Sequence, residues 1–340
     1  MPDAPVHPAV AVIGAGLSGL TAASTLHRAG LPVRIFDKGR GPGGRMSRRR
    51  QNGFHFDHGA QYFTARDPAF REAVEAWRAE GIVAAWPLRL GVARHGHLTA
   101  KPSREARYVG VPSMNAVARH LARGLRVDYG VRIEAVEPFA GGWQLRAEDG
   151  TAFGRFDVVL VSAPPPQAAP LLGAASDFAA AAARLTMAPC WAVMAAFDAP
   201  LPIPFDGLFV EESPLTWVAR NSSKPGRPPG ETWVLHAGPD WSAAHLEADP
   251  DRITAPLLDA FFAAVGMAPV PPVLAVAHRW RYALPVGKAE APCLWDPAIG
   301  LGACGDAYRG GRIEGAYLSG RALARSVLST FGISPPAPAA

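Results

Sequence analysis

The chain has 340 residues, 49% of them hydrophobic and 19% charged, which excludes a disordered polypeptide and leaves room for two domains with a sizeable core. Gly and Pro, 35 and 34 residues, indicate a loop-rich globular protein rather than a low-complexity one. A formal charge of +5 is too mild to define a partner, and the three cysteines are too few and scattered for a disulfide framework or a zinc site.

The most apolar internal stretch, residues 260–277, contains Pro269, Pro271 and Pro272, so no membrane span is expected there. The first ten residues lack a basic n-region and do not read as a signal peptide. A cytoplasmic location is the expectation, with no nucleic-acid or membrane partner and with the oligomeric state left open.

In chain order, an apolar run over 9–13, a glycine-rich turn, a helical segment over 17–29 and a second apolar run over 33–36 closing on Asp37 predict strand, helix, strand. Residues 67–81 predict an amphipathic helix, capped by Asp67, opened by Pro68, facing inward through Phe70, Val74 and Trp77, and stopped by Gly81. A similar helix is predicted over 113–123, with Met114, Val117 and Leu121 on one face. Strands are predicted over 131–136, 143–147 and 157–161, the last stopped by Pro164, Pro165 and Pro166.

From about 170 to 285 the pattern changes to strand-like runs at 191–197, 208–210, 215–219, 232–236 and 273–278, with one helix over 251–265. This reads as an antiparallel sheet domain. A strand at GLGACGDA and a helix over 311–328 close the pattern before a Pro/Ala tail, 331–340, expected to be disordered. The fold class expected is α/β: a Rossmann-like domain assembled from both chain ends (1–75, 100–168 and 286–330), with an inserted α+β substrate domain (76–99 and 169–285).

Gly14-Ala-Gly16-Leu-Ser-Gly19 lies between the first strand and helix. There Gly14 permits the tight turn, Gly16 lets a pyrophosphate approach, Gly19 lets helix and strand pack, and the helix N-terminus attracts the anion. Asp37 would accept hydrogen bonds from an adenosine ribose. The next segment, Lys38 to Met46, brings Arg40 and Arg45 within reach of the same turn. The run Arg48-Arg49-Arg50, with no stacking aromatics interleaved, reads as a solvated or nucleic-acid-facing basic patch.

VIGAGLSGLTAASTLHRAG, the acidic strand end and GPGGRM resemble the flavin-containing amine oxidase superfamily, whose nucleotide domain binds FAD. Gly305-Asp306 followed by Gly310-Gly-Arg-Ile-Glu-Gly-Ala is similar to that superfamily's second FAD motif. Within the superfamily, FDHGAQYFT, GVPSM and HRWRYA resemble the renalase family, in particular its bacterial branch. That resemblance implies an FAD oxidase of 2- and 6-dihydro isomers of NAD(P), yielding NAD(P)+ and, with O2, H2O2.

With the resemblance, the cofactor residues expected are Gly14, Gly16, Leu17, Ser18, Gly19, Asp37, Lys38, Arg40, Gly44, Arg45, Met46, His58, Gly59, Ala60, Gln61, Val131, Gly305, Asp306, Arg312, Ile313, Glu314 and Ala316. For substrate positioning the candidates are Trp280, Tyr282, His236, Asn221 and Tyr62, with Trp217 and Trp233 also considered for their aromatic faces and Arg220 and Arg227 for substrate phosphates. Core packing explains Trp280 and Tyr282 equally well, since two residues apart on a strand they share a face. No metal site is expected. A dihydropyridine that loses hydride becomes aromatic, so no strong base is needed. An amine oxidase and a non-catalytic flavin or nucleotide sensor stay open as alternatives.

Overall fold

The computed structural model describes residues 7–173, 178–287 and 289–336. Its first layer is a six-stranded sheet in the order Leu294–Asp296, Leu301–Ala303, Val158–Val161, Val10–Ile13, Val33–Asp37, Arg126–Tyr129. All neighbours run parallel except the first pair. The central strands, VAVI and VVLV, are apolar at every position because both of their faces are covered. On one face lies the opening helix, Leu17–Arg28, against the closing helix, Ile313–Thr330. The two approach so closely that a Cβ on Gly320 would stand 2.1 Å from the Ser18 carbonyl oxygen.

An antiparallel three-stranded sheet, Ile133–Phe139, Gly142–Ala147 and Ala152–Phe156, covers the other face. The second lobe is a seven-stranded sheet in the order Leu274–Val286, Thr186–Phe197, Glu231–Ala237, Leu215–Arg220, Gly207–Glu211, Leu90–Arg94, His97–Ala100. Strand alternation sorts its side chains: Trp191, Val193, Trp233 and Leu235 pack under helix Pro250–Val265, beside Ile253, Leu257, Phe261 and Phe262. The alternate residues, including Cys190, His236 and Trp280, face the first lobe.

Several elements differ from the sequence expectation. The sheet of the second lobe is mixed, because Gly207–Glu211 runs parallel to Leu90–Arg94. The strand Arg126–Tyr129 precedes the strand expected from residue 131; as an edge strand bonded on one side only, it has little apolar pattern to betray it. The prolines after residue 163 open the helix Pro165–Leu172, with Pro165 at a first-turn position where its missing N–H costs nothing. The helix expected over 113–123 is shorter, Ala116–Leu121. Of the tail, residues 331–336 carry no helix or strand, and 337–340 lie outside the described residues.

Candidate functional site

The nucleotide end of the site forms where the first strand turns into the opening helix. Gly14 adopts φ +111°, and its N–H donates to the Phe36 carbonyl at 2.8 Å, tying the turn to the second strand. Asp37 at the end of that strand accepts from the Ala15 N–H at 2.5 Å and the Gly39 N–H at 2.6 Å. A Cβ on Gly19 would stand 2.2 Å from the Gly14 carbonyl oxygen, so Gly19 serves packing and does not line the cleft. Gly16 is different: a Cβ there would point into open space.

The second glycine segment folds back over this turn, with the Gly43 N–H donating to the Ala15 carbonyl at 2.9 Å. It delivers Arg45 to the middle of the molecule. The Arg45 guanidinium donates to the Ala283 carbonyl at 2.9 Å and pairs through two nitrogens with the Asp306 carboxylate. Its own carbonyl accepts from the Ala60 N–H at 2.9 Å. One residue therefore ties both glycine motifs to the second sheet and to the loop after Phe56.

A cleft of about 2340 Å³ runs from the glycine turn to the face of the seven-stranded sheet. Every residue expected to hold the cofactor lines it except Gly19. Not all do so with free groups: the Glu314 carboxylate accepts from the N–H groups of Arg66 at 2.6 Å and Asp67 at 2.8 Å, bracing the start of helix Pro68–Ala79. Among the candidates for substrate positioning, Trp280, Tyr282, His236, Tyr62 and Trp217 also line the cleft.

Register explains how they meet. His236 lies opposite Ala192 and Trp217, Trp217 opposite Phe209, Ala192 also opposite His278, and Cys190 opposite Trp280. One transverse row of the sheet thus paves the cleft with flat rings, and Ala192 leaves the space between them. Above the row, the His58 carbonyl accepts from Trp280 Nε1 at 3.0 Å and His236 Nε2 at 3.1 Å. That bond places the His236 proton on Nε2 and leaves Nδ1 as an acceptor. The His58 ring lies 4.7 Å from His278 and 4.8 Å from Trp280, centroid to centroid.

All three imidazoles are held neutral. Burial, then His278 and Arg49, push His58 down to about 3; burial pushes His236 to about 4; burial and Arg49 push His278 to about 4. Burial lifts the Cys190 thiol to about 12, so it is an inert wall.

Four expectations are corrected. Asn221 is 1% exposed and does not line the cleft; its amide holds the Asp57 N–H and the His55 carbonyl. Trp233 is fully buried on the helix side of its sheet, with its indole N–H on Glu231. Arg220 turns inward to Glu231 and to the Leu201 and Ile203 carbonyls. Arg227 is buried against Asp57 and the Gly110 carbonyl and does not line the cleft. Lys224, not singled out from the sequence, is fully buried beside it on Asp57. No local signal could have found it, because the pairing joins segments 167 residues apart.

Fold and cleft together define the class, a two-lobed dinucleotide-dependent oxidoreductase with a ring-lined face opposite the nucleotide turn. Residues 12–77 match the NAD(P)-binding Rossmann-like domain, and residues 76–328 match the flavin containing amine oxidoreductases. The chain belongs to the flavin-containing amine oxidoreductase family, and its cofactor is FAD.

Over 50 residues, 15% of the chain, it is 46% identical to a zeta-carotene-forming phytoene desaturase of Myxococcus xanthus and 50% identical to a 4,4'-diapophytoene desaturase of Staphylococcus haemolyticus. The matched stretch covers 10% of each desaturase. Over 94% of the chain the fold superposes on 98% of a putative protoporphyrinogen oxidase from Exiguobacterium sp. 255-15, with TM-score 0.77 and 14% identity. Over 95% of the chain it superposes on 99% of putrescine oxidase bound to putrescine, with TM-score 0.73 and 13% identity.

The residues present fit FAD. The space facing Gly16 at the N-terminus of a 12-residue helix accepts a diphosphate, and the cleft continues unbroken from there to the ring-lined sheet. Among the described residues no helix is long and apolar enough to cross a membrane, and no cluster of His, Cys, Asp or Glu could hold a metal ion.

Proposed function

We propose that the protein is a renalase-like FAD-dependent oxidase of 2- and 6-dihydro isomers of NAD(P). The observation that carries this reading is the charge on the substrate-facing wall. The sheet contributes His236, His278, Trp280 and Tyr282, with Arg279 and Arg281 at the margin, both paired with Glu247 outside the cleft, and none of its described residues lining the cleft is acidic. Arg49 adds a further cation close to His58 and His278. The carboxylates that line the cleft elsewhere are largely engaged: Asp37 and Glu314 by backbone N–H groups, Asp306 by Arg45 and Glu105 by Arg66. Such a wall favours a flat, anionic substrate over an ammonium ion.

In this reading residues 1–75, 100–168 and 286–330 hold the cofactor, and 76–99 and 169–285 face the substrate. FAD supplies the hydride acceptor. The protein's part is to orient the donor ring on the shelf of His236, His278 and Trp280 and to keep charge away from it. A dihydropyridine that loses hydride becomes a pyridinium, so no proton has to leave it, and the three neutral imidazoles suit a step without a base. Dioxygen then takes the two electrons and the proton delivered as hydride, with a second proton from water, as H2O2. The three cysteines are free thiols, which suits a reducing, cytoplasmic setting.

The test is anaerobic mixing of the yellow holoenzyme with 2- and 6-dihydro-NAD and -NADP. Rapid bleaching with release of NAD(P)+ is expected. Bleaching by amines alone would instead assign an amine oxidase, and indifference to every donor would point to a flavin-binding sensor.

A further inference from the structure

Behind the loop 57–62, away from the cleft, lies a buried charge cluster that orientation of the substrate does not use. The side chains of Lys224, Arg227 and Asp57 are 0%, 2% and 2% exposed. Asp57 takes Arg227 Nε at 3.1 Å and Lys224 Nζ at 3.5 Å on one carboxylate oxygen, and the Met114 N–H at 2.9 Å on the other. Lys224 Nζ also donates to Gln61 Oε1 at 3.0 Å and Asn221 Oδ1 at 3.3 Å, and lies 5.5 Å from the centre of the Trp86 ring.

Two cations thus share one carboxylate, and the cluster carries a surplus positive charge cut off from water. A closed-in lysine bears a large desolvation penalty that an apolar side chain of equal length would not, so its presence calls for a role other than filling space. Burial pushes Lys224 down only to about 8, because Asp57 opposes it, and the flanking cations hold the Asp57 carboxyl below its usual range. The Lys224 ammonium faces three oxygen acceptors, on Asp57, Gln61 and Asn221, the surroundings of a cation.

One amide separates this charge from the cleft. Gln61 lines the cleft, accepts from Lys224, and donates from Nε2 to the carbonyls of Asp57 and Gly59. Taking up a hydride adds one negative charge to the cofactor. We propose that Lys224 is a positioning residue for FAD: through Gln61 it fixes the loop 57–62 against the cofactor, and the cluster's surplus charge favours the reduced, anionic form. This inference rests on FAD occupancy and is independent of which molecule donates the hydride.

The experiment is a spectroscopic measurement of the two-electron midpoint potential of the holoenzyme against a reference dye. Lys224→Met is expected to lower the reduction equilibrium constant at least tenfold, a shift of about 30 mV to more negative potential. Lys224→Arg, which keeps the charge, should stay within threefold of the wild type. If Lys224→Met does not accumulate, Arg227→Met removes the same unit of charge from the other side of Asp57 and should give the same fall. A methionine variant that binds FAD and keeps the wild-type potential overturns the proposal, as does a Lys224→Arg enzyme whose potential falls as far as that of the methionine variant.

Discussion

Arg45 and Asp306, 261 positions apart in the chain, meet through a two-pronged ion pair, with one guanidinium nitrogen 2.9 Å from its carboxylate oxygen. Asp306 is nearly buried and Arg45 about one-third exposed. The pair joins the second glycine segment to the closing motif at the mid-point of the cleft. Arg45→Ala and Asp306→Asn should each weaken FAD binding at least tenfold, since a charge-assisted bond of this kind contributes roughly 1.5–3 kcal/mol. In a double-mutant cycle the two losses should not add, and FAD titration followed by flavin fluorescence measures both quantities.

Gly16 and Gly19 separate binding from folding. Gly19→Ala drives a Cβ onto the Gly14 carbonyl and should lower the melting temperature of the apoprotein. Gly16→Val puts its side chain into the open cradle, so the apoprotein should melt within a degree or two of the wild type while FAD affinity collapses. Calorimetry of the apoprotein paired with FAD titration tells the two apart.

The three neutral imidazoles give a pH dependence with a definite sign. Their folded pKa values, about 3 for His58 and about 4 for His236 and His278, lie below the ordinary value of 6.5. As pH falls through 6.5 the unfolded chain takes up protons that the folded chain refuses, so stability is undiminished above that value and declines down to about pH 4 for His236 and His278 and about pH 3 for His58. Denaturant titrations at pH 7.5, 6, 5 and 4.5 should show the midpoint falling steadily below 6.5. Hydride transfer should show no inflection attributable to these rings between pH 6 and 8; a stopped-flow profile with a step near 6.5 would contradict the neutral assignment.

If the substrate is an anionic dinucleotide, Arg49 bears on its binding rather than on the chemical step. Arg49→Ala should raise KM about tenfold with kcat little changed, and Arg49→Glu should raise it further. Steady-state kinetics at two salt concentrations would show the wild type losing affinity as salt rises, and Arg49→Ala losing less.

What the sequence disclosed tracks how local each contact is. Gly14, Gly16, Gly19 and Asp37 belong to one contiguous strand, turn, helix and strand, so their spacing specified their placement. Face assignment within the second sheet was less legible. Trp233 and His236 stand three apart on one strand and so point to opposite sides, yet aromatic character alone nominated both for the cleft; only His236 reaches it. Asn221 and Arg227 lie on a loop whose polar composition reads as solvated, and their burial depends on Asp57, more than 160 residues earlier. Lys224 was invisible for the same reason. The parallel joint between Gly207–Glu211 and Leu90–Arg94 likewise links segments that no periodicity connects.

The six-stranded sheet has a bearing on how the protein is made. Val158–Val161 finds its outer neighbour only in Leu301–Ala303, and the opening helix packs against Ile313–Thr330. While the ribosome is still translating the middle of the message, the first half of this sheet stands with an open edge and an uncovered helix. Loading of FAD therefore waits for the last segments to emerge, and a nascent chain stalled before residue 300 would present exposed apolar surface to chaperones in place of a flavin pocket.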